Sequence, residues 1–170
     1  MDSAENRAEV LTSGTRDTTP VTSAQAPDLT DGRDQIRAPL DQNQMLLTAD
    51  PESVKAAREF TAETLRCWRL EGLMDEGVMI ASELVTNAVR HGACPGGPAS
   101  GKVGLSWQLH IGRVICVVTD GSKMPPVLMA ADMDAESGRG LHVVDALAAG
   151  WGWTMLGAGE KAVWAVLALP

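Results

Sequence analysis

The sequence predicts an α/β chain of the α+β sandwich kind, with helices packed on one face of a mixed, mostly antiparallel sheet. Three observations carry that expectation. Residues 102–111 alternate apolar and polar with a period of two, and residues 74–90 repeat their apolar positions at helical spacing. The chain order reads strand, two helices, hairpin, loop, helix, hairpin, which places the helices together against one sheet.

Residues 1–39 hold Asp, Thr, Ser, Ala and Pro with isolated apolar residues and no period. Seven acidic and four basic residues give them a net −3, leaving −5 of the formal −8 to the rest of the chain. Such a stretch buries too little apolar surface to offset its ordering entropy, so it is expected to be a disordered tail. Residues 40–170 are then expected to form one domain.

Within that domain Met45, Leu46 and Leu47 make a strand-like stretch that ends at Asp50-Pro51. Pro51 suits the first position of a helix, with Glu52 in its first turn. Val54, Ala57, Arg58, Thr61 and Leu65 continue at helical spacing to about Trp68, where Glu71-Gly72 breaks the pattern. A second helix covers roughly 74–90, with Val78, Ala81, Leu84, Val85, Ala88 and Val89 on its apolar side. HGACPGGPASG is a loop by its Gly and Pro content.

Val103, Leu105, Trp107, Leu109 and Ile111 then alternate with Lys102, Gly104, Ser106, Gln108 and His110, the pattern of a half-buried strand. Gly112-Arg113 suits a tight hairpin into Val114–Val118, a run apolar enough to be buried on both faces. Residues 120–137 are irregular. A helix follows over about 139–149, then Trp151–Thr154 and Lys161–Leu169 as closing strands. Trp107, Trp151, Trp153 and Trp164 fall in these strands and suit packing against or over the sheet.

Composition narrows the function. The chain has 170 residues, 45% of them hydrophobic, enough for a proper core; aromatics are only 4%, and most of them are Trp. The acidic balance argues against a nonspecific nucleic-acid or anionic-membrane surface, since both demand a basic patch. Cys67, Cys94 and Cys116 share no CxxC spacing, so neither a disulfide framework nor a zinc site is expected. His91 with Cys94 has a metal-like spacing but no partner pair. The first residues lack a basic and apolar leader, and no apolar run approaches the ~20 residues of a membrane helix. A cytoplasmic protein is expected.

Three stretches carry chemistry. In ASELVTNAVRHG, residues 81–92, Glu83, Asn87 and His91 fall at i, i+4 and i+8, a polar line on an otherwise apolar helix. That line is either a solvated face or a site; a Gly-rich loop directly after it favours a site. An Asn carbonyl suits Mg²⁺, and a Glu one turn earlier suits proton acceptance from an attacking hydroxyl or water. In Val117-Val118-Thr119-Asp120-Gly121-Ser122, an apolar strand delivers an Asp into a turn. The Asp either shapes the turn or accepts from an exocyclic amine, which would select adenine over guanine. In Glu136-Ser137-Gly138-Arg139-Gly140-Leu141, glycines open a helix, either shaping its start or admitting a phosphate to free N–H donors.

Together, in this order, the three resemble the ATP-site boxes of the GHKL ATPases, the superfamily of gyrase-type topoisomerases, heat-shock-ninety chaperones, histidine kinases and mismatch-repair ATPases. Within it the chain is most similar to the anti-sigma-factor serine/threonine kinases, especially short stand-alone actinobacterial members. ASELVTNAVRHG, DGS-x-x-P-P, ESGRGLHVVDALA and WGW…GEKAVWAVL carry the likeness, over about residues 45–169.

The resemblance implies a Bergerat-type GHKL fold, ATP and Mg²⁺ as cofactors, and a sigma factor and its antagonist protein as partners, with a homodimer left open. It makes Glu83 the general base and Asn87 the Mg²⁺ ligand, with Arg90 and His91 against the nucleotide. Asp120 becomes the adenine reader, with Gly121 and Ser122 in its turn, and Gly138, Arg139, Gly140 and Leu141 form the phosphate-side loop. Ser122 stands where the superfamily has Gly, and Ala162 replaces the hydroxyl residue usual after Lys161 or its equivalent.

The implied function is an ATP-dependent protein serine/threonine kinase that phosphorylates a small anti-sigma-factor antagonist and otherwise sequesters a sigma factor. The alternative is a nucleotide-binding adaptor that regulates partners by binding only. ATP hydrolysis for mechanical work would need a transducer domain, and a histidine kinase would need a phosphoacceptor hairpin for which there is no room before residue 45.

Overall fold

The computed structural model describes residues 38–91, 101–126, 139–156 and 159–170. The expected tail, the loop after His91, Gly138 and the acidic run before it therefore lie largely or wholly outside the described residues.

The first strand, β1 (Asp41–Thr48), leads into α1 (Glu52–Cys67); a short 3-10 turn at Glu71–Leu73 turns the chain into α2 (Met74–His91). Strands β2 (Lys102–His110) and β3 (Arg113–Asp120) form a hairpin. Then come α3 (Gly140–Leu147), β4 (Gly150–Met155) and β5 (Lys161–Ala168). The strands lie in the order β1-β2-β3-β5-β4, and all four pairings are antiparallel. The α+β class thus holds, with a sheet that is antiparallel throughout its described strands where a mixed one was expected.

Alternation decides which face meets the helices. Val103, Leu105 and Trp107 on β2, Val114, Cys116 and Val118 on β3, and Val163, Ala165 and Leu167 on β5 are buried together with Ile80, Ala81, Leu84, Val85 and Ala88 of α2. Trp107 is the largest side chain in this core, and its indole N–H donates to Thr61 Oγ1 of α1 at 3.0 Å. Leu141 and Val144 anchor α3 to the same core.

Helix α1 starts as its sequence suggests. Pro51 has helical torsions, and Asp50 before it accepts the Ser53 backbone N–H at 3.0 Å, so Asp50 does the work of the N-cap. Hydrogen bonds from Thr48 and Ser53 hold the Asp50 carboxyl below the usual carboxylate range. At the far end, Trp68 donates its indole N–H to Asp41 at 2.8 Å, tying the end of the helix to the start of β1.

The β2–β3 turn differs from expectation by one position. His110 pairs with Arg113, so the turn is Ile111-Gly112 and Arg113 already belongs to β3. Gly112 sits at φ 73°, where a side chain is disfavoured. Ile111 therefore leaves the alternation and is exposed. Among the described residues no helix is long and apolar enough to cross a membrane.

Candidate functional site

Register and connection together put the described candidate residues at one end of the molecule. Thr48 pairs with Lys102, Gly104 with Thr119, and Asp120 with Lys161, so β1 and β3 finish at the end where β2 and β5 begin. Helix α1 leaves from that end and α2 returns to it, bringing the C-terminal half of α2 beside the end of β3.

The polar line on α2 is flanked by buried Ser82, Leu84, Val85 and Ala88. Glu83 and Asn87 are half-buried, while Arg90 and His91 stand exposed at the helix end. What half-covers the first two is the start of α3. A Cβ at Gly140 would collide with Glu83 Oε2 and come within 3.6 Å of Asn87 Nδ2. Glycine there lets α3 begin directly on the carboxylate and carboxamide, while buried Leu141 holds the helix down. Arg139, exposed, precedes this first turn without capping it by its side chain. A carboxylate and a carboxamide beside a close backbone, the amide nitrogen of Asn87 being its atom nearest Gly140, supply the side-chain types that a magnesium–phosphate group takes.

The second cluster forms at the end of β3. Asp120 follows Val114, Cys116 and Val118 at period two, so it falls on the helix-covered face and is only 4% exposed. Its Oδ1 accepts the Ser122 backbone N–H at 2.8 Å, closing a tight turn. Its Oδ2 lies 3.4 Å from Lys161 Nζ, and Lys161 is 5% exposed. Lys161 also donates to the Met124 carbonyl at 3.0 Å, and the Met124 N–H donates to Ser122 Oγ at 3.1 Å. A carboxylate oxygen has two acceptor sites, so each still has one for an amine donor.

Ser122, which departs from the superfamily pattern, thus closes the Asp120 turn through its backbone and holds Met124 through its hydroxyl. Gly121 lies between them, half-buried. The structure brings Glu83, Asn87, Gly140 and Leu141 together, and Asp120 and Ser122 together. Arg90, His91 and Arg139 stand exposed at the same end.

Lys161 belongs to none of the three chemistry-bearing stretches of the sequence, yet it contacts two of the residues around the Asp120 turn. Its signal was present: Lys161, Val163, Ala165 and Leu167 form one inward file, and a cation heading a buried file demands a partner.

Residues 47–166 match the family model of the histidine kinase-like ATPase domain. Among solved structures, that of the RsbU and RsbW domains of Rv1364c from Mycobacterium tuberculosis is similar in fold. The likeness has a TM-score of 0.51 and 24% identity, over 78% of this chain and 33% of that one. This chain thus spans about a third of that protein's length. No curated protein matches the chain.

Proposed function

Because the chain belongs to the histidine kinase-like ATPase domain family, we propose that it is an ATP-binding serine/threonine protein kinase and anti-sigma-factor regulator that phosphorylates a small antagonist protein. The observation that supports this best is the convergence of Glu83 and Asn87 on Gly140 at the same end of the molecule as the buried Asp120. The choice of an anti-sigma system rests on the motif likeness, from ASELVTNAVRHG to GEKAVWAVL.

In this reading Asp120 accepts from the exocyclic amine of adenine. Asn87 offers its carbonyl oxygen to Mg²⁺, and the backbone from Gly138 to Leu141 offers N–H donors to phosphate. ATP supplies the phosphoryl group, and Mg²⁺ neutralises its charge. Glu83 accepts the proton of the antagonist's serine or threonine hydroxyl as that oxygen attacks the γ-phosphorus of ATP and the bond to the bridging oxygen breaks, releasing ADP. Arg90, His91 and Arg139 are exposed at the rim, where cationic or donor groups meet an anionic ligand.

A binding-only adaptor is the second reading. Lys161 already pairs with the base-reading carboxylate, and Ala162 brings no hydroxyl to the site. One experiment separates the two. The full chain is incubated with ATP, Mg²⁺ and candidate antagonist proteins, and intact mass reports phosphoryl gain. Transfer should appear for the wild type and fall by ~10²–10⁴-fold in Glu83→Gln, with ATP binding retained. A wild type that binds ATP and a partner yet transfers nothing to any antagonist leaves the adaptor.

A further inference from the structure

We propose that Lys161 is a positioning residue for base selection. It closes a ring of contacts that holds the Asp120 carboxylate in one orientation, without itself touching the nucleotide. The inference rests on the reading of Asp120 as the adenine reader.

The ring has four members. The Ser122 N–H donates to Asp120 Oδ1 at 2.8 Å, and the Met124 N–H donates to Ser122 Oγ at 3.1 Å. Lys161 Nζ donates to the Met124 carbonyl at 3.0 Å and lies 3.4 Å from Asp120 Oδ2, which returns the path to its start. The first two contacts are local to the turn. Only Lys161 comes from another strand, placed opposite Asp120 by the β3–β5 register. Without it the turn is tethered at one end, and the carboxylate is held by one oxygen and free to swing at the other.

Stability alone does not account for the lysine. A buried ion pair is often no more stabilising than well-packed apolar side chains of similar volume, and the inward file behind Lys161 is otherwise apolar. Orientation does account for it. An amine donor is discriminated only when the acceptor's lone pair is aimed before the ligand arrives, because hydrogen bonds weaken steeply with misalignment. A carboxylate clamped on both oxygens meets that condition, and a base lacking the amine then leaves it without its partner.

The test compares equilibrium binding of ATP with that of purine riboside triphosphate, which carries hydrogen in place of the 6-amino group. The full-length wild type, Asp120→Asn, Lys161→Met and the double variant D120N/K161M are measured, each with a thermal melt. The wild type should favour ATP on the order of tenfold or more, as expected for a hydrogen bond to a charged group. In Lys161→Met that ratio should fall to within about threefold of one, whereas a purely structural role would lower the melting temperature and leave the ratio alone.

Lys161→Met strands a buried carboxylate and is the variant most exposed to misfolding, so the double variant carries the test independently. It removes both charges, and it should match Asp120→Asn in affinity and ratio to within about threefold, since Lys161 acts only through Asp120. A further loss in the double variant would show direct contact with the nucleotide and overturn the proposal. So would a wild-type preference that Asp120→Asn abolishes and Lys161→Met preserves. A wild type that binds both nucleotides equally removes the adenine reading of Asp120 itself, and the inference with it.

Discussion

A methyl group at Gly140 would have to occupy space held by the Glu83 carboxylate, and it would reach Asn87 as well. Gly140→Ala is therefore a probe of the site rather than of the fold. The Glu83 terminus is flexible and yields, and Ala is no worse than Gly in a helix. The variant should melt within a few degrees of wild type. Phosphoryl transfer should fall on the order of 10²-fold, the usual effect of moving a reacting group by about an ångström. Unchanged transfer would separate this contact from the chemistry. At this scale the sequence was most legible where one helix sets the geometry: Glu83 and Asn87 share a face because of the 3.6-residue period alone. Lys161 was least legible, because its partner Asp120 is fixed by strand register between segments forty residues apart.

Between elements, one buried hydrogen bond ties the sheet to a helix. Trp107 of β2 is fully buried beneath α1 and α2, and its N–H has Thr61 Oγ1 of α1 as acceptor. Thr61→Val keeps the shape and removes the acceptor, leaving a buried indole N–H without its partner. That should cost about 1–3 kcal/mol, read as a lower urea midpoint with an unchanged slope. A midpoint within error of wild type would mean that the N–H finds another partner once Thr61 is gone. The elements themselves were legible because their periods are long: 18 residues of α2 and nine of β2 leave little ambiguity. The turn was less so. Alternation would carry Ile111 inward, but a turn centred on Ile111-Gly112 ends the strand at His110 and turns Ile111 out. Burial also drives the His110 imidazole below its ordinary value, with Arg113 adding to the effect. Which turn residues a hairpin selects depends on cross-strand pairing, which a single strand's pattern does not contain.

For the whole molecule, the relevant question is whether the candidate site and the core open as one unit. Cys116 is a natural reporter. It sits on β3, the middle strand of five, is fully buried, and burial pushes its thiol well above the ordinary range. A thiol reagent reaches it only when the sheet opens, whereas Cys67 at the end of α1 is exposed. The expectation that helices cover one sheet face was legible in chain order; that β3 would lie at the centre was not, since strand order arises from long-range pairing. In the native protein Cys67 should label rapidly and Cys116 only through the small globally unfolded population, followed peptide by peptide by mass spectrometry. ATP and Mg²⁺ bound by the folded state alone should then slow Cys116 by the factor one plus the ratio of free ligand to dissociation constant. At 100 times the dissociation constant the expected slowing is ~100-fold, equivalent to ~2.7 kcal/mol, provided reclosing outpaces labelling. The rate for Cys67 should not change. If saturating nucleotide leaves Cys116 labelling at its free rate, β3 opens without the site, and Asp120 at its end does not share the core's cooperativity.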